Sequence, residues 1–224
     1  MVFEAETSDG TWYKTRCKGA PAYVKASYMQ KGESAANDGY LARCLKIAPN
    51  EIGQKDASRY DGASGDWCQY FVNWLLRASL MPAERVPTSG GTGWGIAFWS
   101  KKTNNGGEFF FVNEAHKARI NNESKYDLNV GNTLTYEELQ FSPQAGDIIY
   151  LRWENEPESV NVNHVGYVVA VSADGKEVHT IEGNTTPMNK TDTGLAVCKK
   201  IYYPGSDYYN NVVVGYARPN YNKK

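Results

Sequence analysis

Cys68 is the side chain best placed for nucleophilic chemistry. It follows Asp66-Trp67 at the start of a segment whose apolar residues recur at helical spacing, and Asp66 is the predicted N-cap of that helix. Unsatisfied backbone N–H groups and the dipole at a helix N-terminus favour the thiolate, the nucleophilic form of cysteine. A cysteine in an arbitrary helix more often fills an apolar face. Its position at the helix start makes Cys68 a candidate nucleophile.

A thiol nucleophile needs a base within hydrogen-bond reach, and that base needs an orienting acceptor on its other ring nitrogen. His116 lies in a polar segment, which predicts solvent exposure, and His179 lies inside a strand-like segment as a core or surface histidine. His164 begins a predicted strand, so its ring can reach a helix terminus. Glu182 and Asn184 are two residues apart and therefore share one face of a strand. Either of them could orient His164.

Cooperation between these side chains depends on the register of the hairpin that joins their strands. A regular two-residue turn at Asp174-Gly175 would put His164 on the face opposite to Glu182 and Asn184. A three-residue loop would instead pair His164 with Asn184 and place Gly166 beside Glu182, where it leaves space. The sequence therefore predicts a loop of odd length, or an equivalent β-bulge.

The elements that carry these residues indicate an α+β fold. Apolar residues recur at helical spacing over 41–52, with a break at Pro49, and over about 67–80, which predicts two helices. Beyond residue 143 the pattern changes to strands, predicted at 147–152, 164–171, 177–182, 195–203 and 212–218. Helices first and antiparallel strands later predict N-terminal helices packed on an antiparallel sheet.

The remaining segments suggest how the chain is divided. Residues 1–30 are predicted to form a small β unit, with strands at 2–6, 11–17 and 22–26. Residues 31–37 are polar and small, as is typical of a linker, and residues 38–224 are predicted to form the main domain. Within that domain, residues 100–142 form a long polar segment of the kind that covers a site.

Composition excludes several classes of function. The chain has 224 residues, enough for one main domain with a substantial core. Its formal net charge is -1, so we expect no nucleic-acid partner. Its apolar runs are too short to cross a bilayer, so we expect no membrane partner. The four cysteines lack CxxC spacing, and we expect no metal and no cofactor. If Cys68 stays a thiol, the other three cysteines allow one disulfide at most, and we expect none.

Five sequence blocks follow one another along the chain. They are Asp66-Trp67-Cys68-x-x-Phe71-Val72, Pro143-Gln144-Ala145-Gly146-Asp147-Ile148-Ile149, Asn163-His164-Val165-Gly166, Ile181-Glu182-Gly183-Asn184-Thr185 and Val214-Gly215-Tyr216-Ala217-Arg218-Pro219. In this order they resemble the motifs of CHAP domains, which are cysteine, histidine-dependent amidohydrolases and peptidases. The first 30 residues resemble the C-terminal half of a bacterial SH3-like domain, a module that many cell-wall enzymes carry for wall attachment.

The resemblance implies a papain-like fold and acyl transfer through a thioacyl intermediate. It implies that Cys68 is the nucleophile, that His164 is the base, and that Glu182 or Asn184 is the third member. The implied substrate and partner is peptidoglycan, cut by an N-acetylmuramoyl-L-alanine amidase or by an endopeptidase of the stem or cross-bridge. We therefore expect a monomer that is secreted or associated with the cell wall. Some relatives bind calcium before the cysteine, but Asp61 and Asp66 alone offer too few oxygen ligands.

Two other functions are compatible with parts of this pattern. A papain-like amidase or peptidase could use the same triad on a substrate outside the wall. A wall-binding or scaffold protein could carry the same fold without catalysis. The first is disfavoured by the SH3-like resemblance of residues 1–30, and the second by the presence of Cys68, His164, Glu182 and Asn184 together.

Overall fold

The structure is a computed structural model that describes the backbone of residues 5–6, 12–17 and 20–25, and residues 39–61, 65–101, 107–121, 141–153, 162–187 and 195–222. The chain divides into two compact units, Met1–Asp38 and Gly39–Lys224. The predicted linker at 31–37 lies outside the described residues. No helix among the described residues is long and apolar enough to span a membrane.

The first unit contains the three strands that the sequence predicts. They are β1 (Ala5–Glu6), β2 (Trp12–Cys17) and β3 (Ala20–Lys25). Both neighbouring pairs are antiparallel, and β2 lies in the middle of the sheet. β3 begins two residues earlier than predicted, since its pairing with β2 runs from Trp12 opposite Lys25 to Cys17 opposite Ala20.

The second unit is an α+β fold, as the sequence predicts. Its helices are α1 (Tyr40–Ile47), α2 (Cys68–Ala78), α3 (Thr92–Ser100), α4 (Glu114–Asn121) and α5 (Asp207–Val212), with 3-10 turns at Ala48–Glu51, Ala57–Tyr60 and Ala83–Arg85. Its strands are β4 (Gly107–Phe111), β5 (Ile148–Leu151), β6 (His164–Val171), β7 (Val178–Thr185), β8 (Ala196–Tyr202) and β9 (Val213–Pro219). They form one antiparallel sheet in the order β4-β9-β5-β6-β7-β8.

Helix α2 lies against β6 and β7 and brings its first residue to the sheet. The apolar stripe predicted for this helix is buried, and its members are Cys68, Phe71, Val72, Leu75 and Leu76. The helix is shorter than the predicted 67–80. It ends at Ala78, since Leu80 has a positive φ of 68° that cannot continue a right-handed helix.

The sheet is buried on both faces. One face lies in the core that contains α2, and the other packs against a second cluster that includes Tyr209 and Val212 from α5. All four residues of β5 are consequently buried, which removes the polar alternation of a half-exposed strand.

The segment 100–142 differs from the expected polar cover. Phe109, Phe110 and Phe111 belong to β4, a sixth strand that pairs with β9, and all three side chains are buried. His116 in α4 is only 4% exposed, and its Nε2–H donates to the Asn210 carbonyl at 3.0 Å, so the prediction of a solvated His116 is wrong. A buried imidazole is tolerated here because a backbone acceptor satisfies it. Residues 122–140 lie outside the described residues.

Candidate active site

Cys68 is the first residue of α2 and is 2% exposed. As a first-turn residue, it has a backbone N–H without an acceptor inside the helix. The N-cap is Trp67, and no side chain caps the helix, so the prediction of Asp66 as N-cap is wrong. Trp67 adopts this position beneath Tyr60, whose ring stacks on it with centroids 5.3 Å apart. Packing therefore fixes the start of the helix where a polar cap was expected.

His164 is the first residue of β6, and its ring is held from two directions. Its Nε2–H donates to Glu182 Oε2 at 2.8 Å, and both side chains are buried. The indole of Trp153 stacks on the imidazole, with ring centroids 4.0 Å apart. The Trp153 backbone N–H donates to Asn163 Oδ1 at 2.9 Å, which ties this tryptophan to the residue before His164.

Glu182 is held by its own neighbours on the sheet. The Thr180 hydroxyl, two residues earlier on the same strand face, donates to Glu182 Oε1. A Cβ at Gly166 would lie 2.6 Å from Glu182 Cγ, so only glycine leaves room for this carboxylate. The predicted proximity of Gly166 to Glu182 is confirmed.

A β-bulge sets the register that brings these side chains together. At the hairpin end Val171 lies opposite Val178, and the loop exceeds a two-residue turn. Between Val168 and Ala170 the register shifts by one residue, after which Tyr167 lies opposite Ile181. The prediction of an odd-length loop or an equivalent bulge is confirmed in its second form.

The surroundings of His164 favour its protonated form. Burial alone would lower the pKa of the imidazole, but hydrogen bonds with Cys68 and Glu182 and the charges of both groups raise it to about 9. Because Nε2 faces Glu182, Nδ1 is the ring nitrogen left for the Cys68 thiol. The arrangement Cys68, His164, Glu182 can thus hold a thiolate beside an imidazolium and pass a proton between the ring and a reacting group.

Asn184 occupies a different place from the one considered for it. Its Nδ2 donates to Asp66 Oδ1 at 3.2 Å, in the segment that precedes Cys68. The structure therefore gives the orienting contact with His164 to Glu182. The Oδ1 of Asn184 is buried and has no hydrogen-bond partner among the described residues.

The remaining histidines and cysteines lie outside this constellation. His179 is half-buried and pairs with Glu177 at 2.9 Å, as fits a surface histidine. Cys44 and Cys198 are buried, as is Cys68, and the Cys17 side chain lies outside those described. Asp61 pairs with Arg77 at 3.3 Å. Within the described part of the chain, no three or more His, Cys, Asp or Glu side chains are grouped to hold a metal ion.

Sequence reasoning missed three neighbours of the site: Trp153, Thr180 and Tyr202. Burial and the Glu182 carboxylate raise the pKa of Tyr202, so its hydroxyl stays a neutral donor beside that carboxylate. Thr180 could have been found by its spacing from Glu182. Trp153 and Tyr202 could not, because their approach depends on tertiary packing.

A thiol at a helix N-terminus, beside a histidine and a carboxylate on an antiparallel sheet, defines a cysteine-dependent hydrolase site. The model of the CHAP domain family matches residues 59–184, more than half of the chain. The chain belongs to the CHAP family, and its class is that of a hydrolase acting as an amidase or peptidase. Searches of curated proteins and of solved structures gave no match. The match does not extend to residues 1–30, whose SH3-like resemblance stays a prediction.

Proposed function

We propose that this chain hydrolyses an amide bond of peptidoglycan, with Cys68 as nucleophile, His164 as general acid and base, and Glu182 as the group that orients His164. The observation that carries the proposal is the His164 imidazole between Glu182, 2.8 Å away, and the thiol at the start of α2. We assign Asn184 to the neighbourhood of the site rather than to the orientation of His164.

The reaction begins when the Cys68 thiolate attacks the carbonyl carbon of the substrate amide. A C–S bond forms, and the negative charge moves to the carbonyl oxygen, where the backbone N–H of Cys68 can stabilise it. The C–N bond then breaks as the His164 imidazolium gives its proton to the leaving amine. The product on the enzyme is a thioester, and His164 is now neutral.

The second half of the reaction regenerates the thiolate. Neutral His164 takes a proton from water, the resulting hydroxide attacks the thioester carbon, and the C–S bond breaks. Throughout both halves Glu182 accepts from Nε2, which keeps the ring oriented and stabilises its charge. All three groups come from one chain, so the proposed site is complete in the monomer that we propose.

Membership of the CHAP family supports peptidoglycan as substrate and partner, because these hydrolases often act on it. The resemblance of residues 1–30 to wall-binding modules supports the same substrate. A wall substrate lies outside the membrane, so we propose that the protein is secreted or associated with the cell wall. Both a sugar-to-stem amidase and a stem or cross-bridge endopeptidase fit the proposed chemistry.

Digestion of purified peptidoglycan with mass spectrometry of the soluble fragments tests the proposal. An amidase releases stem peptides and leaves glycan strands without stems, whereas an endopeptidase leaves shortened or unlinked stems on the glycan. The matched control is Cys68→Ala, which should release no fragments above background because the covalent step is lost. Removing one buried sulfur at a helix end should cost only about 1 kcal/mol of stability, so the variant should unfold at nearly the same denaturant concentration.

Three other outcomes contradict parts of the proposal. Fragment release by folded Cys68→Ala at the wild-type rate would remove Cys68 as nucleophile. Cys68-dependent hydrolysis of soluble peptide amides without attack on peptidoglycan would favour a papain-like enzyme with another substrate. Sedimentation with peptidoglycan and no hydrolysis of either substrate would favour a wall-binding protein.

A further inference from the structure

We propose that Asp66 is a positioning residue for the reaction proposed above. Through the side-chain amide of Asn184, it ties the start of α2, and with it the Cys68 thiol, to the strand that carries Glu182. The connection is one hydrogen bond of 3.2 Å between residues 118 positions apart in the sequence. This proposal rests on the proposed function only for its effect on turnover, because the reactivity of the Cys68 thiol can be measured without substrate.

The chemistry of the two groups fixes the orientation of Asn184. An ionised carboxylate only accepts hydrogen bonds, so the Asn184 amide must present its NH₂ group to Asp66. The amide oxygen is thereby turned away from Asp66, where it is buried without a donor among the described residues. Such an arrangement does not hold itself in place, because an unpaired buried oxygen is unfavourable. The Asp66 carboxylate is the group that holds it.

The backbone of β7 is shaped to reach this contact. Pairing between β7 and β8 shifts register between Glu182 and Thr185, so the chain bulges at the two intervening residues. Asn184 has a φ of 59°, a left-handed conformation that asparagine tolerates better than most residues. Bulges of this kind re-aim side chains next to functional sites. Here the bulge points the Asn184 amide at the segment before Cys68.

A packing contact supports the same connection from inside the core. A Cβ at Gly183 would lie 2.7 Å from Trp67 Cζ3 and 2.6 Å from Phe71 Cβ, so the start of α2 sits directly on the β7 backbone. We call Asp66, Trp67, Gly183 and Asn184 the α2–β7 junction. It joins the residue beside the nucleophile to the residues beside Glu182. A change in the junction therefore alters the spacing between Cys68 and the pair His164 and Glu182.

The experiment measures alkylation of Cys68 by iodoacetamide at pH 6 and at pH 10, followed by peptide mass spectrometry so that the other cysteines do not contribute. Only the thiolate reacts with iodoacetamide. The rate at pH 6 divided by the rate at pH 10, called here the alkylation ratio, therefore reports how well the imidazolium stabilises the thiolate. We expect Asp66→Ala to lower this ratio about tenfold, and kcat/KM on peptidoglycan about tenfold to a hundredfold, as a misplaced reacting group does. Asp66 is exposed, so its removal leaves the core intact.

Three variants make the experiment specific. Asp66→Asn can still accept from Asn184 Nδ2 and should restore the ratio toward the wild-type value. Asn184→Gly accommodates the positive φ and removes the amide, so adding Asp66→Ala to it should change nothing more. If Asp66→Ala does not fold, Asn184→Gly tests the same connection from its β7 side. Asp61→Asn removes a different carboxylate from the preceding segment and should leave the ratio unchanged.

Two results would overturn the proposal. One is a wild-type alkylation ratio in Asp66→Ala together with a lower free energy of unfolding, which would make the contact merely structural. The other is full additivity of Asp66→Ala and Asn184→Gly, which would show that Asp66 does not act through Asn184. If the wild-type protein releases no peptidoglycan fragments while the variants change its alkylation ratio as expected, the proposed function fails and the positioning role of Asp66 does not. The failure of one proposal can therefore be distinguished from the failure of the other.

Discussion

Two acid–base pairs contribute to the same sheet, and they differ in whether a polar atom of the pair remains available for another partner. Arg218 on β9 contacts Asp147, next to β5, through Nε to Oδ1 and Nη2 to Oδ2, both at 2.9 Å. Asp147 Oδ2 also accepts from the Gln144 backbone, and Arg218 Nη2 also donates to the Ser142 carbonyl. Every oxygen of Asp147 is engaged with fixed donors. The pair fastens the turn before β5 to β9.

The second pair, His164 and Glu182, is arranged for change. One imidazole nitrogen is engaged by Glu182 and the other is left for Cys68, and the ring, whose pKa is raised to about 9, can gain or lose a proton. A guanidinium stays charged under all ordinary conditions. Two of the sequence blocks that resemble CHAP motifs therefore stabilise the sheet through Asp147 and Arg218, whereas others carry the proposed chemistry. Belonging to a motif block does not distinguish a structural residue from a reacting one. The two pairs differ because the His164 imidazole can release a proton and the Arg218 guanidinium cannot.

The sharpest test of this contrast is Glu182→Gln. The amide keeps the shape of the side chain but removes the charge that stabilises the imidazolium, and we expect kcat/KM to fall by about 10² to 10⁴. His164 can respond by losing its proton, so no unpaired buried charge remains, and the loss of stability should be smaller than for a pair whose cation cannot lose its proton. Fragment release from peptidoglycan and denaturant unfolding measure the two effects. A variant that unfolds readily yet turns over normally would reverse the assigned roles.

Asp147→Asn should give the opposite result. Arg218 cannot lose its proton, so the substitution leaves its charge without a partner. We expect a loss of about 3 kcal/mol in the free energy of unfolding, at the lower end for such pairs, because Arg218 reaches solvent. Activity per folded molecule should stay at the wild-type level. A selective loss of kcat/KM with unchanged unfolding would instead connect Asp147 to the chemistry.

The sequence predicted those parts of the fold in which local pattern and tertiary environment agree. The apolar stripe of α2 and the strand starting at His164 follow from periodicity alone. The register of β6 and β7 followed from parity, although the bulge and not the loop supplies it. β4 was missed because its three phenylalanines lie in a polar segment, and an edge strand paired with a distant partner leaves no local signal.

The candidate site divides in the same way. Residue types and spacing were enough to select Cys68 and His164 and to narrow the third group to two residues. Choosing between Glu182 and Asn184 was beyond the sequence, since the answer depends on the bulge that turns Asn184 toward Asp66. The failure of Asp66 as N-cap has the same origin, because tertiary contacts of Trp67 replaced the local cap.

The smallest expected effect concerns the titration of His164. Of the two pairs, only His164 and Glu182 should change protonation between pH 5 and 10, because Arg218 stays charged. Burial lowers the pKa of His164, but its partners raise it from the ordinary 6.5 to about 9, and the hydrogen bond with Cys68 is the largest of the causes that raise it. Protonated His164 therefore stabilises the folded state fully below about pH 6.5, and this contribution is lost as the pH rises through about 9.

In Cys68→Ala the thiol partner is gone, so the pKa of His164 should fall and the loss of stability should begin at a lower pH. NMR titration of the imidazole resonances between pH 5 and 10 measures the shift, with Asp147→Asn as the control that should leave it in place. An unchanged titration in Cys68→Ala would mean that the thiol and the imidazole are not coupled, and the proposed thiolate–imidazolium pair would have to be abandoned.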